Sequence, residues 1–197
     1  MRVAIFVSGS GTNLQAIIDS DVQTIDIVVV FSNKADSYAL ERAKKHNIPV
    51  EVIDHKGFQD REDFDKAVVE ILEPYNLDLL ILAGYMRILS PVFVRTYKNK
   101  IINIHPALLP SFPGVNSGRQ ALEYGVQYTG VTVHFVDEGV DTGPIILQEI
   151  VKIEDSDTEE SLLKKIHNIE HEIYPKAIEL VSSGEVEIVG RRVIKKS

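Results

Sequence analysis

Short apolar runs alternate with amphipathic stretches along the whole chain, the pattern of strand–helix–strand units built around a parallel sheet. Val3–Val7 reads as a first strand, and Leu14–Asp19 opens a helix. Ile25–Phe31 is a second strand, and its continuous run Val28-Val29-Val30 predicts burial on both faces. Asp36 or Ser37 is placed to cap a helix through Lys45, and an edge-like strand, Ile48–Ile53, follows with Pro49 in it. From Arg61 to Glu73 the apolar positions Phe64, Val68, Ile71 and Leu72 form one helical stripe, which Pro74 ends. Leu77–Ala83 is the next buried strand, and Ser90-Pro91 begins a short helix with proline at its first position.

Ile101–His105 is a further strand, followed by a loop with prolines at 106, 110 and 113. Proline stiffens such a loop, which either frames a site or simply turns the chain. Arg119–Tyr124 is helical and stops at Gly125, and the strands Val131–Val136 and Ile145–Ile153 flank a loop carrying Asp141. Asp157-Thr158-Glu159-Glu160 resembles a capping box for a long last helix to about Ser182, and Val186–Ile194 forms a hairpin around Gly190. No repeat, low-complexity segment or linker-like stretch interrupts this series. The expectation is a single α/β domain over residues 1–197, an open, mostly parallel twisted sheet with helices on both faces.

Composition narrows the chemistry. At 197 residues, 44% hydrophobic and 25% charged, the chain can bury a full core. A net charge of -8 argues against a nucleic-acid partner, which would need a basic stripe, but leaves room for a phosphate held at a helix N-terminus. With no cysteine, thiolate catalysis, disulfides and cysteine-based zinc sites are excluded. No secretory signal or membrane-length apolar run is visible, so a cytoplasmic protein without membrane association is expected.

Candidate chemistry gathers at Asn103, His105 and Asp141. Strand alternation sends Asn103 and His105 to one face, and Pro106, which lacks an N–H, places both near the strand's carboxyl end, where ligands collect in open α/β sheets. An amide donor, an imidazole and a carboxylate to orient it suit acyl transfer. The other reading is a polar strand end closed by a satisfied core histidine. Ser8-Gly9-Ser10-Gly11-Thr12-Asn13, between the first strand and first helix, offers backbone amides to an anion. A dinucleotide site would have a small residue where Leu14 stands and an acid after Phe31-Ser32-Asn33, and a P-loop would have Gly-Lys-Ser or Gly-Lys-Thr. A phosphate monoester fits best, with a turn that binds nothing as the alternative.

Asn103-Ile104-His105-Pro106, Leu108-Leu109-Pro110-Ser111-Phe112-Pro113-Gly114 and Asp141-Thr142-Gly143-Pro144 together resemble the folate-dependent formyltransferases. The resemblance extends to Ser8–Asn13, Phe31-Ser32-Asn33-Lys34-Ala35, Ala83-Gly84-Tyr85-Met86-Arg87-Ile88-Leu89-Ser90 and Val131–Val136. It implies a Rossmann-like fold with a nucleotide-binding half, about 1–100, and a catalytic and folate-binding half, about 101–197. It implies transfer of a formyl group from 10-formyltetrahydrofolate to the amine of 5-phosphoribosylglycinamide in purine synthesis, by a monomer or homodimer without a metal. The implied catalytic trio is Asn103, His105 and Asp141. The nucleotide contacts fall on Gly11, Thr12, Asn13 and Glu170. The folate contacts fall on Arg61, on Met86, Arg87, Ile88 and Leu89, on Asn103, and on Asp137, Glu138, Gly139, Val140 and Asp141. Relatives often carry histidine where Asn116 stands, and some at Gly118, so no histidine role transfers to that loop.

The chemistry assigns Asn103 to the oxyanion, His105 to proton donation toward the leaving nitrogen, and Asp141 to keeping the imidazole charged. His134 shares a strand face with Thr132 and reads as a structural histidine. His167 is expected near the nucleotide with Glu170, three residues on, and its spacing of four from His171 lacks a third metal ligand. At this length an additional tRNA-binding or deformylase domain is not expected. A rival is a non-catalytic binder of a phosphorylated metabolite, which would not need the trio.

Overall fold

The structure is a computed structural model that describes residues 1–196. Among the described residues, nine strands lie in the sheet order β3-β2-β1-β4-β5-β6-β7-β9-β8. They are β1 Arg2–Val7, β2 Asp26–Ser32, β3 Val50–Val52, β4 Leu79–Leu82, β5 Ile101–His105, β6 Tyr128–Phe135, β7 Ile145–Lys152, β8 Val186–Val189 and β9 Arg192–Lys195. Helices α1 Thr12–Asp19, α2 Tyr38–Lys45, α3 Arg61–Leu72, α4 Pro91–Thr96, α5 Ser117–Tyr124 and α6 Glu159–Ser182 alternate with them. Two compact units divide within β5, Met1–Asn103 and Ile104–Ser197.

In the first unit all strand pairs are parallel, β1 with β2 and β4, β2 with β3, and β4 with β5. The valine run is buried as expected at Val29 and Val30, together with Phe31, but Val28 is only half-buried; every residue of Val3–Val7 is fully buried. Phe6 sits at the centre of this core, its ring centroid 4.9 Å from Phe31, 5.3 Å from Tyr85 and 5.9 Å from Phe93. Helix α4 begins as the sequence suggests, with Ser90 Oγ accepting the Phe93 N–H and proline in its first turn. Ser37 precedes α2 but its hydroxyl does not cap it; it donates to the Gly9 carbonyl instead, tying the glycine loop to α2.

The second unit pairs β6 with β7 and β8 with β9 antiparallel, the latter being the expected terminal hairpin. Its core is Val131 and Val133 with Leu162, Ile166, Tyr174 and Ile178 of α6. The capping box of α6 is real but uses Ser161 rather than a glutamate: Thr158 and Ser161 exchange side-chain-to-backbone bonds. Pro175 stands inside α6 without ending it, against the usual cost of an interior proline. Among the described residues no helix is long and apolar enough to cross a membrane.

Candidate active site

Strand β5 delivers the first two residues of the trio as its alternation requires. Asn103 is half-buried and pairs with Leu82 of β4, and His105 closes the strand with its ring buried. Within the second unit, His105 Nε2 lies 2.8 Å from the Phe112 carbonyl oxygen, which can only accept, so Nε2 carries the proton. Nδ1 then faces Asp141 Oδ2 at 3.3 Å. Asp141 adopts a left-handed backbone, φ 54°, a conformation its short polar side chain tolerates, and its Oδ2 also accepts the Gly114 N–H at 2.8 Å. The loop leading to it is closed by Asp137, whose Oδ1 accepts the Thr142 hydroxyl at 2.6 Å and the Gly139 N–H at 3.1 Å. Glu138, Gly139 and Val140 are exposed at its tip.

His134 belongs to this group, which the sequence did not reveal. It is buried, donates Nδ1–H to the Phe135 carbonyl at 2.8 Å, and turns Nε2 to 3.6 Å from Asp141 Oδ1. Asp141 therefore sits between two imidazoles, one at each carboxylate oxygen. The available signal was the shared face of Thr132 and His134: Thr132 Oγ1 donates to the Ala107 carbonyl and accepts the Leu109 N–H, so that face of β6 looks onto the loop after His105.

Burial is the largest influence on His105 and pushes its pKa below the ordinary imidazole value; Asp141's charge and the Phe112 carbonyl pull it up, and His134 adds a smaller push down. Asp141 feels burial upward, but the His134 contact, the Gly114 N–H and the two imidazoles hold its carboxyl below the usual range. Asp141 thus pulls His105 toward its charged form, as expected, but burial has the larger effect and favours the neutral ring.

In the first unit the glycine loop reaches α1 through Gly11, whose φ of 73° places it in the left-handed region. A Cβ there would stand 2.5 Å from Ala39 Cβ, so glycine is required by conformation and by space. Arg42 Nε donates to the Ser10 carbonyl, and the Ala39 N–H to that of Gly9. Thr12 is exposed at the start of α1 and Asn13 is buried beside it.

The segment after β4 presents Met86 and Ile88 outward, 71% and 57% exposed, while Leu89 is buried. Two neighbouring bulky apolar side chains left exposed suit an apolar ligand face better than a core. Arg87 stacks its guanidinium 4.6 Å from the Phe64 ring centroid. Arg61 is exposed at the first position of α3, where it lines an open depression with Asp60, Lys66 and Ser90. On α6, Glu170 is buried, and His167, three residues before it, is exposed. Burial, with His167 nearby, lowers the His171 pKa. No group of three or more His, Asp or Glu among the described residues could hold a metal ion.

Residues 1–178 match the family model described as formyl transferase. Phosphoribosylglycinamide formyltransferase of Escherichia coli (strain K12) is 41% identical over 191 residues, covering 95% of this chain and 90% of the relative. The trifunctional purine biosynthetic protein adenosine-3 of Chironomus tentans is 51% identical over 192 residues, but this chain spans only 14% of its length. The crystal structure of glycinamide ribonucleotide transformylase 1 from Symbiobacterium toebii superposes with a TM-score of 0.96 at 46% identity, covering all of this chain and 94% of that one.

Proposed function

We propose that this chain, which belongs to the formyl transferase family, transfers the formyl group of 10-formyltetrahydrofolate to the amine of 5-phosphoribosylglycinamide, giving the formylated ribonucleotide and tetrahydrofolate in purine biosynthesis. The observation that carries this reading is the buried His105–Asp141 pair at the end of β5, at 3.3 Å, in a chain 41% identical to a phosphoribosylglycinamide formyltransferase over nearly the whole of both proteins.

The chemistry follows from what each group can do. The amine lone pair attacks the formyl carbon, leaving positive charge on nitrogen and negative charge on the formyl oxygen. Asn103 donates to that oxyanion, a contribution of about 3–4 kcal/mol when one such donor is removed in other acyl-transfer enzymes. His105, neutral at rest with its proton on Nε2, receives the amine's proton on the free Nδ1 beside Asp141 and gives the Nε2 proton to the folate nitrogen as the carbon–nitrogen bond breaks. A pKa lowered by burial makes the imidazolium, once formed, a stronger acid toward that poor leaving group. Asp141 fixes the ring and stabilises its transient charge. Because Nε2 rests on the Phe112 carbonyl, a substrate atom that exchanges the proton there must displace that carbonyl.

In this reading Gly11, Thr12 and Asn13 hold the phosphate, with Glu170 as the later nucleotide contact. The exposed Met86 and Ile88 supply an apolar face for the pterin, with Arg87, Leu89, Arg61 and the loop Asp137–Asp141 as its other folate contacts. The co-substrates are small molecules and the chemistry needs no metal; the cytoplasm, where both substrates would be met, is the proposed compartment, and the acting species a monomer or homodimer. Mixing purified protein with 10-formyltetrahydrofolate, with and without 5-phosphoribosylglycinamide, tests the reading. Loss of the formyl donor that depends on the amine supports transfer; loss without the amine means hydrolysis, and no loss means a binder.

A further inference from the structure

Ser8 opens the glycine loop at the end of β1, and the residue is 4% exposed. It accepts the Met86 N–H at 2.9 Å and donates to Asn33 Oδ1 at 2.6 Å. Asn33 follows β2 and is 1% exposed, and both its side-chain Nδ2 and its carbonyl contact His55 Nδ1, at 3.3 and 3.0 Å. One buried hydroxyl thus joins three segments distant in sequence: the loop that begins at Ser8, the turn after β2, and the segment Met86–Leu89. Main-chain amides of such segments are normally satisfied by secondary structure or water; spending a buried, doubly bonded serine on Met86 fixes where that segment starts. The other end is fixed as well. Asp65, 2% exposed on α3, accepts the Ser90 N–H at 2.5 Å. Between these two pins the chain exposes Met86 and Ile88.

We propose that Ser8, locked by Asn33, is a positioning residue for folate: it sets the register in which residues 86–89 present their apolar side chains and backbone to the pterin. This rests on the proposed formyl transfer and adds the residues that shape its folate side. Ser8 touches no substrate itself. It acts through the Met86 amide, and because it also begins the glycine loop, it links the presentation of one substrate to that of the other.

The test is equilibrium binding of a 10-formylfolate analogue to the full chain, run beside steady-state kinetics and thermal melting. Ser8→Ala is expected to weaken analogue binding about tenfold, the worth of one hydrogen bond to a buried amide, with a smaller change in the KM for the ribonucleotide. Asn33→Ala is expected to give a milder loss in the same direction, and the double variant to be no worse than Ser8→Ala, since both act through one bond. Unchanged analogue binding in a Ser8→Ala protein that melts normally overturns the proposal, as does an equal rise in both substrate constants. If Ser8→Ala does not fold, Asn33→Ala carries the same comparison. A wild-type protein that binds the analogue but transfers nothing contradicts the transfer reading alone, and the variants still decide the positioning role; one that binds no analogue overturns both.

Discussion

His105 Nδ1 stands 3.3 Å from Asp141 Oδ2, yet burial, not the carboxylate, has the larger effect on the ring. The acid limb of kcat/KM should therefore fall below pH 6.5, the ordinary imidazole value, and removing Asp141's charge should cost rate as well as shift the limb. Asp141→Asn is expected to lower turnover about 10²–10³-fold, within the range general acid–base groups contribute. A rate–pH profile of wild type and variant checks this; a limb above 6.5 would mean the ring is charged at rest.

The same shift is linked to folding. The unfolded chain's imidazole takes a proton near pH 6.5, and the folded one only below it. The stabilisation from a neutral buried ring is complete above 6.5 and is lost as pH falls through the folded value. Urea unfolding should show wild type losing stability between pH 7.5 and 5.5, and His105→Asn losing less over that window.

His134 should prove more than a packed histidine. Its Nε2 lies 3.6 Å from Asp141 Oδ1, so His134→Phe removes one of the contacts holding that carboxyl low. Turnover is expected to fall about tenfold, as partial loss of a buried polar network would give, and Asp141's pKa to rise. Turnover equal to wild type at every pH would return His134 to a purely structural role.

Gly11→Ala places a side chain at φ 73° and against Ala39. The strain costs about 1–3 kcal/mol, and the loop must shift to relieve the contact. Loss of melting temperature together with a KM for the ribonucleotide raised at least about tenfold is the expected result. A raised folate KM alone would detach this loop from the phosphate.

Asp157 anchors the start of α6. The Lys165 ammonium, 2.6 Å from Oδ2, with the Glu154 N–H and the Ser161 hydroxyl, holds its pKa down to about 2. Its contribution is present above the unfolded carboxyl value near 3.8 and is lost as pH falls through about 2. Asp157→Asn should lower the melting temperature at neutral pH and flatten the loss of stability on acidification across that window.

Much of the frame was legible because local pattern and burial agreed. β5 was bounded at Ile101 and His105 by alternation and Pro106, and the burial of Val29 and Val30 in β2 was readable without partners. Short elements at the rim were less so: the expected strand Ile48–Ile53 shrinks to Val50–Val52, since its end position in the sheet leaves only β2 to pair with. The candidate site was visible as residue types, but the surroundings of those residues were not. Burial of His105, the turn of Phe112's carbonyl onto Nε2 and the approach of His134 are tertiary facts, set by loops whose conformation no periodicity encodes. Ser8 likewise read as part of a glycine loop, while its bond to Met86, 78 residues away, depends on the packed sheet.

Carbon-13 in the formyl group of 10-formyltetrahydrofolate, followed by NMR in the presence of 5-phosphoribosylglycinamide, reports the fate of the transferred carbon itself. The label is expected on the glycinamide nitrogen with wild type, and to remain on folate with His105→Ala. Label released as formate, or a His105→Ala protein that transfers at the wild-type rate, would contradict the assignment of this chain and of His105 to formyl transfer.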